Sequence, residues 1–117
     1  MGQAFPKPKS PPKPAVKVFR DGREVCNLET KEGKEEYDRR KRAMWERQNK
    51  RCCLEGKCPG CPGRLRWEDA SFEHEAGRGG GKRDDRILVD GKWQNGVCHH
   101  WCNRWKGSRR IEYADVP

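Results

Sequence analysis

From Ala15 to Arg20 apolar and polar residues alternate, Asp21-Gly22 follows, and the alternation resumes through Arg23-Glu24-Val25-Cys26. Successive side chains on a strand point to opposite faces, and Asp-Gly accepts the positive φ of a type I′ turn, so this stretch predicts a β-hairpin. Cys26 falls on the second strand, apart from the other six cysteines, and reads as a half-buried structural thiol. From Thr30 the period changes. Thr30 can cap a helix, and Lys34 to Lys50 holds no Gly or Pro and many strong helix formers. Tyr37, Met44 and Trp45 supply a narrow apolar stripe for packing. Arg39, Arg40, Lys41 and Arg42 form a basic row beside it, available to phosphates.

Beyond Arg51-Cys52-Cys53-Leu54, where at least one of the adjacent cysteines should be buried, Arg64 to Trp67 alternates as a strand would. Ala70 to His74 does so again, with Phe72 and His74 on one face and Glu73 on the other. The run from Gly77 to Asp85 is rich in glycine and cations, and Arg78, Lys82 and Arg83 are placed to meet a nucleic-acid backbone. It lacks the first glycine and the Ser or Thr of a nucleotide-binding P-loop, which excludes that reading. Ile87 to Val89 is a short strand and Asp90-Gly91 a second hairpin-type turn. A helix beginning between Val97 and His100 carries Trp101 and Trp105 four apart, suited to packing on the sheet. Its end is basic, with Arg104, Lys106, Arg109 and Arg110, and Gly107 marks its stop.

The chain has 117 residues, 32% hydrophobic and 38% charged, enough for one small domain but poor material for a core. Its organisation reads as a disordered Pro/Lys-rich arm (1–14), a hairpin and basic helix (15–50), a metal-stabilised domain (51–110) and a tail (111–117). A net charge of +9 favours a polyanion partner, because neutralising phosphates releases condensed counterions. No apolar run is long enough to span a membrane and no signal-type segment opens the sequence, so a cytoplasmic protein with no membrane partner is expected. In that compartment seven cysteines, an odd number with paired spacings, favour metal over disulfides.

Two thiolates separated by two residues can reach one tetrahedral ion from a single turn, and Cys58-Pro-Gly-Cys61 has that spacing with turn-forming residues between. For the second half of a structural zinc site, His99 and Cys102 share the same spacing. Cys98 and Cys52 stand as alternates.

Between these pairs lies Phe72-Glu73-His74-Glu75, and the second pair leads into Cys102-Asn103-Arg104-Trp105-Lys106-Gly107. From about Arg40 to Arg110 this order resembles the HNH (His-Me finger, ββα-metal) endonucleases, particularly small phage-type members. Glu73 stands where the family more often has Asp, and Asn103 in place of the final His. The resemblance implies an α+β fold, a small zinc-stabilised ββα-metal domain preceded by the hairpin and helix. It implies a nuclease hydrolysing DNA phosphodiester bonds, with His74 as general base and Glu73 and Asn103 holding a catalytic Mg²⁺ or another divalent ion. Glu75 stands in reserve as a ligand. Asn95 takes the central Asn position, for which Asp85-Arg86 competes. Phage packaging proteins as partners and the host cytoplasm as location follow from the same resemblance. The alternative is a non-catalytic zinc-ribbon protein that binds nucleic acid and needs neither His74 nor Asn103.

Overall fold

The computed structural model describes residues 13–74 and 83–107 and forms a small α+β unit of two helices and three two-stranded antiparallel sheets. Most of the arm, the tail, Glu75, Arg78, Lys82, Arg109 and Arg110 lie outside the described residues. Strands β1 (Val16–Val18) and β2 (Glu24–Cys26) make the expected hairpin, but not through a type I′ turn. Of Asp21 and Gly22 only the glycine has positive φ, at 90°. Phe19 donates its N–H to the Arg23 carbonyl at 2.8 Å and accepts from Gly22 at 3.0 Å, which leaves a three-residue loop closed by a glycine bulge. The Asp21 carboxylate takes the Arg23 N–H and Nε, a local bond that holds this wider turn.

Helix α1 (Lys31–Arg47) opens where Thr30 Oγ1 accepts from the Gly33 N–H at 3.0 Å. It begins before Lys34 because Gly33 fits inside its first turn. A β-carbon there would stand 1.8 Å from the Asn27 carbonyl oxygen. The helix stops in a Schellman motif. Asn49 and Lys50 turn left-handed (φ 56° and 58°), Asn49 N–H bonds the Glu46 carbonyl, and Lys50 N–H bonds that of Trp45.

The chain then doubles back through a single Arg51–Arg64 bridge, and Trp67–Asp69 forms a 3-10 turn, so the expected strand over 64–67 shrinks to one contact. Strand β3 (Ala70–His74) has the predicted bounds. Strands β4 (Leu88–Val89) and β5 (Lys92–Trp93) flank a true type I′ turn, with Asp90 and Gly91 at φ 52° and 76°. Strand β6 (Asn95–His99) pairs with β3, Ala70 opposite His99 and His74 opposite Asn95, and runs straight into helix α2 (His100–Lys106). Gly107, at φ 59°, ends it.

The β3–β6 pair is the centre, with a helix on each face. Tyr37 of α1 stacks on Phe72 with centroids 4.8 Å apart. The Gln48 amide bonds both the N–H and the carbonyl of Val97 at 2.8 Å, satisfying a strand edge from a side chain. On the other face α2 turns Cys102 and Lys106 inward, while Trp101 and Trp105 stay 39% and 36% exposed; Trp101 keeps part of the packing role expected of it by stacking on His99 of β6 with centroids 4.3 Å apart. Each indole lies one residue, or 100° of helix rotation, out of phase with the buried stripe. Met44, Cys52, Cys53, Leu54, Leu65, Phe72, Val97, Cys98 and Cys102 form one core, so α1 and residues 51–106 pack as a unit.

Gly33→Ala is expected to destabilise the protein by about 3 kcal/mol, since the clash is with backbone rather than a movable side chain. A thermal melt should show a drop on the order of 10 °C or more.

Candidate metal centre and ionic site

Four ligand-type side chains from three segments converge. Cys52 follows the exit of α1, Cys61 ends the Cys58-Pro-Gly turn, and His99 and Cys102 straddle the junction of β6 and α2. Their ligand atoms all lie within 4.8 Å of one another. His99 Nδ1 is 3.7 Å from Cys61 Sγ and 3.8 Å from Cys102 Sγ. Zinc–ligand bonds of about 2.0–2.3 Å at tetrahedral angles put neighbouring ligand atoms about 3.6–3.8 Å apart, so these separations suit one ion. The far ring nitrogen, Nε2, donates to the Arg64 carbonyl at 2.9 Å, which fixes the tautomer that turns the Nδ1 lone pair toward the sulfurs. Burial, then the neighbouring Cys58, Cys52 and Cys61 thiols, push the Cys102 thiol well up. A dication reverses that preference, because it binds the thiolate. The cluster could therefore hold a metal ion such as zinc.

Cys61, His99 and Cys102 meet as their spacing predicted. Cys58 does not join them, and the alternate, Cys52, takes its place. The reason is the doubling back of the chain. Cys52 N–H bonds the Gly63 carbonyl at 2.7 Å and Leu65 N–H bonds that of Lys50 at 2.8 Å, which lays Cys52 alongside the turn. Cys58 is buried beside Cys102 but outside the quartet, with its thiol on the Pro59 carbonyl. Cys98, the other alternate, sits in the core outside the quartet. Cys26 is 1% exposed rather than half-buried, and burial pushes its thiol up to about 11.

Residues expected to share a catalytic pocket divide between the two faces of β3–β6. On the α1 face, His74 is 3% exposed, stacks on Phe72 and places Nε2 2.6 Å from Asp85 Oδ1. Asp85 is fully buried and also accepts from Arg83 Nε and Nη2 and from the Cys26 N–H. Burial pushes its carboxyl up, but the bonds from His74, Arg83 and Cys26 outweigh it and bring the pKa down to about 2. Asn95, expected to act in catalysis, donates to the Asp84 and Arg86 carbonyls at 2.6 and 2.8 Å and so pins the segment that delivers Asp85. On the α2 face Glu73 Oε1 lies 2.6 Å from the buried Lys106 ammonium, which also donates to the His74 carbonyl, and Asn103 donates to Ser71 Oγ at 3.0 Å.

Two cations placed at a nucleic-acid surface are therefore otherwise engaged: Lys106 with Glu73, and Arg83 with Asp85. Arg40, from the basic row of α1, is buried against Glu24, Glu36 and the Asp85 carbonyl. Arg104 is exposed. Of the two candidates for the central position, Asp85 rather than Asn95 is the one that meets His74. Its signal is the acidic pair Asp84-Asp85 set between Arg83 and Arg86 in a basic chain.

No family model, curated protein or solved structure matches the chain. No helix among the described residues is long and apolar enough to cross a membrane.

Cys52→Ser should lower bound zinc to well under one equivalent and reduce thermal stability, while Cys58→Ser keeps the ion; elemental analysis of the purified variants distinguishes the two. Asp85 has a second, acid-dependent signature. Its folded pKa lies below the ordinary 3.8, so its stabilisation is complete above that value and is lost as pH falls from about 4 to about 2. Asp85→Asn should remove on the order of 2 kcal/mol at neutral pH and flatten denaturant-measured stability across that acid range.

Proposed function

We propose that the chain is a small zinc-stabilised nuclease that hydrolyses phosphodiester bonds in DNA, with His74 as general base. The contact that carries this reading is the buried His74–Asp85 pair at 2.6 Å. An ionised Asp85 orients the His74 ring through Nε2 and would stabilise the imidazolium formed when the ring takes a proton from water. Arg83, Cys26 N–H and Asn95 hold Asp85 in place, so the base is oriented by groups that are themselves fixed. The order β3, β6, α2, with a Cys/His cluster beside it, supports the ββα-metal likeness. The charge of +9 supports DNA as substrate.

Zinc belongs in the Cys52, Cys61, His99 and Cys102 cluster, where four protein ligands leave no open position and make it structural. Glu73 and Asn103 are the hard oxygen donors on the α2 face for a Mg²⁺-like ion, but Glu73 is already matched by Lys106. An ion bound there must take the carboxylate from the lysine. When bound it would stabilise charge on the scissile phosphate and the leaving oxygen.

The second reading is a zinc-stabilised module that binds nucleic acid without cutting it. The Glu73–Lys106 pair and the burial of His74 favour it, because both are complete without substrate or ion.

A supercoiled-plasmid assay with Mg²⁺ decides between them. A nuclease converts plasmid to nicked or linear forms, and His74→Ala and Asp85→Asn lower the rate about 100-fold or more, as loss of a positioned base requires. Intact plasmid under every divalent ion leaves the binding module.

A further inference from the structure

One flank of α1 packs against the 3-10 turn at Trp67–Asp69. Trp45 and Trp67 meet there with ring centroids 5.4 Å apart and planes 57° from parallel. The Trp45 indole N–H is tied to the Leu65 carbonyl at 2.8 Å, so the pair is fixed between helix and 3-10 turn. Arg42 lies 4.2 Å and Lys41 4.5 Å from the Trp67 centroid, while Lys50 lies 5.2 Å and Arg42 5.7 Å from that of Trp45. Both indoles are half-exposed and Arg42 and Lys50 are exposed. Elsewhere the guanidinium groups of Arg39, Arg40, Arg51, Arg83 and Arg86 are matched by carboxylates. Lys41, Arg42 and Lys50 make no ion pair among the described residues. They are held by rings and remain available to an anion.

We infer that Trp45 and Trp67, with Lys41, Arg42 and Lys50, form a platform for single-stranded DNA. The cations meet the phosphates, and an unpaired base stacks on the indole and guanidinium surface. Each component alone is ordinary: an exposed tryptophan suits any apolar ligand, and a lysine any anion. Together they suit a polymer that carries a π-face and a negative charge in each unit. A duplex hides its bases, so the stacking contribution is open only to a single strand.

The inference rests on DNA as the partner but not on cleavage. It adds a direction to the proposed site. Strand β3 leads from the residue after the 3-10 turn, Ala70, to His74, roughly 13 Å at strand rise, or about four nucleotide steps at 3.4 Å each.

The test is fluorescence anisotropy of a labelled 20-nucleotide oligo(dT) and of a matched duplex, with zinc-loaded full-length protein and no Mg²⁺. Trp67→Ala should weaken oligo(dT) binding about 5- to 100-fold, the equivalent of one lost base stack, and change duplex binding less than twofold. Trp67→Leu, which keeps apolar volume but no π-face, should behave as Trp67→Ala, and Trp67→Phe should restore most of the affinity. Gln at both Lys41 and Arg42 should weaken both ligands and reduce the salt dependence. Wild-type oligo(dT) affinity in Trp67→Leu, equal losses on single strand and duplex, or no oligo(dT) binding at all would overturn the platform. Trp67-dependent binding without plasmid cleavage keeps the platform and removes the nuclease; cleavage without Trp67 dependence does the reverse.

Discussion

The convergence of Cys52, Cys61, His99 and Cys102 is the constraint on which the rest of the structure depends. These residues sit at the exit of one helix, the end of a tight turn, the last residue of a strand and the first turn of a second helix. Fixing them fixes how α1, the Cys58–Cys61 turn and the β3–β6 pair face one another. The chain has little else to do this with, since the core is short and largely built of cysteines and a few aliphatics. Zinc held by four such ligands contributes on the order of 10 kcal/mol, comparable to the whole stability of a small domain. An ion in this cluster would therefore be part of the fold. The bond from His99 Nε2 to the Arg64 carbonyl extends the cluster into the backbone of the returning chain, so its geometry and the Arg51–Arg64 bridge support each other.

A second polar network, with no sulfur in it, ties the other end of the molecule. Asp85 receives the β2 backbone, Arg83 and His74, while Arg40 joins Glu24 of β2 and Glu36 of α1 to the Asp85 carbonyl. Buried charges are tolerated when each has several partners, and here the arginine and the carboxylates complete one another. The hairpin thus does more than precede the domain. It supplies two of the groups, the Cys26 N–H and the Glu24 carboxylate, that hold the segment orienting His74.

What could be read from the sequence is what local chemistry decides. Thr30 as a cap, β3 from its alternation, Asp90-Gly91 as a hairpin turn and three of the four cluster residues all follow from spacing or from a residue's own conformational preference. What could not be read depends on tertiary approach. Cys52 gains its place from a chain reversal whose one backbone bridge leaves no pattern, whereas Cys58 has the better motif and no place in the cluster. Gly33 lies beyond the reach of propensity as well. It weakens a helix in isolation, yet it is what allows the Asn27 carbonyl to close on this one. The basic residues divide on the same principle. A count of charges sees Arg40, Arg83 and Lys106 as surface cations, and only their acidic neighbours in space turn them inward.

Adjacent in sequence, Glu73 and His74 are separated by the pleat, and each has acquired a partner of its own. His74 faces a carboxylate that holds its ring in place. Glu73 faces an ammonium that neutralises it. On the proposed nuclease reading this asymmetry couples two ligands. Taking Lys106 away from Glu73 without replacement leaves a buried charge uncompensated, which costs roughly 3–5 kcal/mol. A divalent ion compensates the carboxylate but strands the lysine, and a phosphodiester compensates the lysine but strands the carboxylate. Together they satisfy both. Metal ion and DNA would then each raise the other's affinity, by the reciprocity that holds for any two ligands sharing one conformational cost. On that proposed reading the buried pair, which in isolation argues against an active site, would be the element that makes ion binding conditional on substrate.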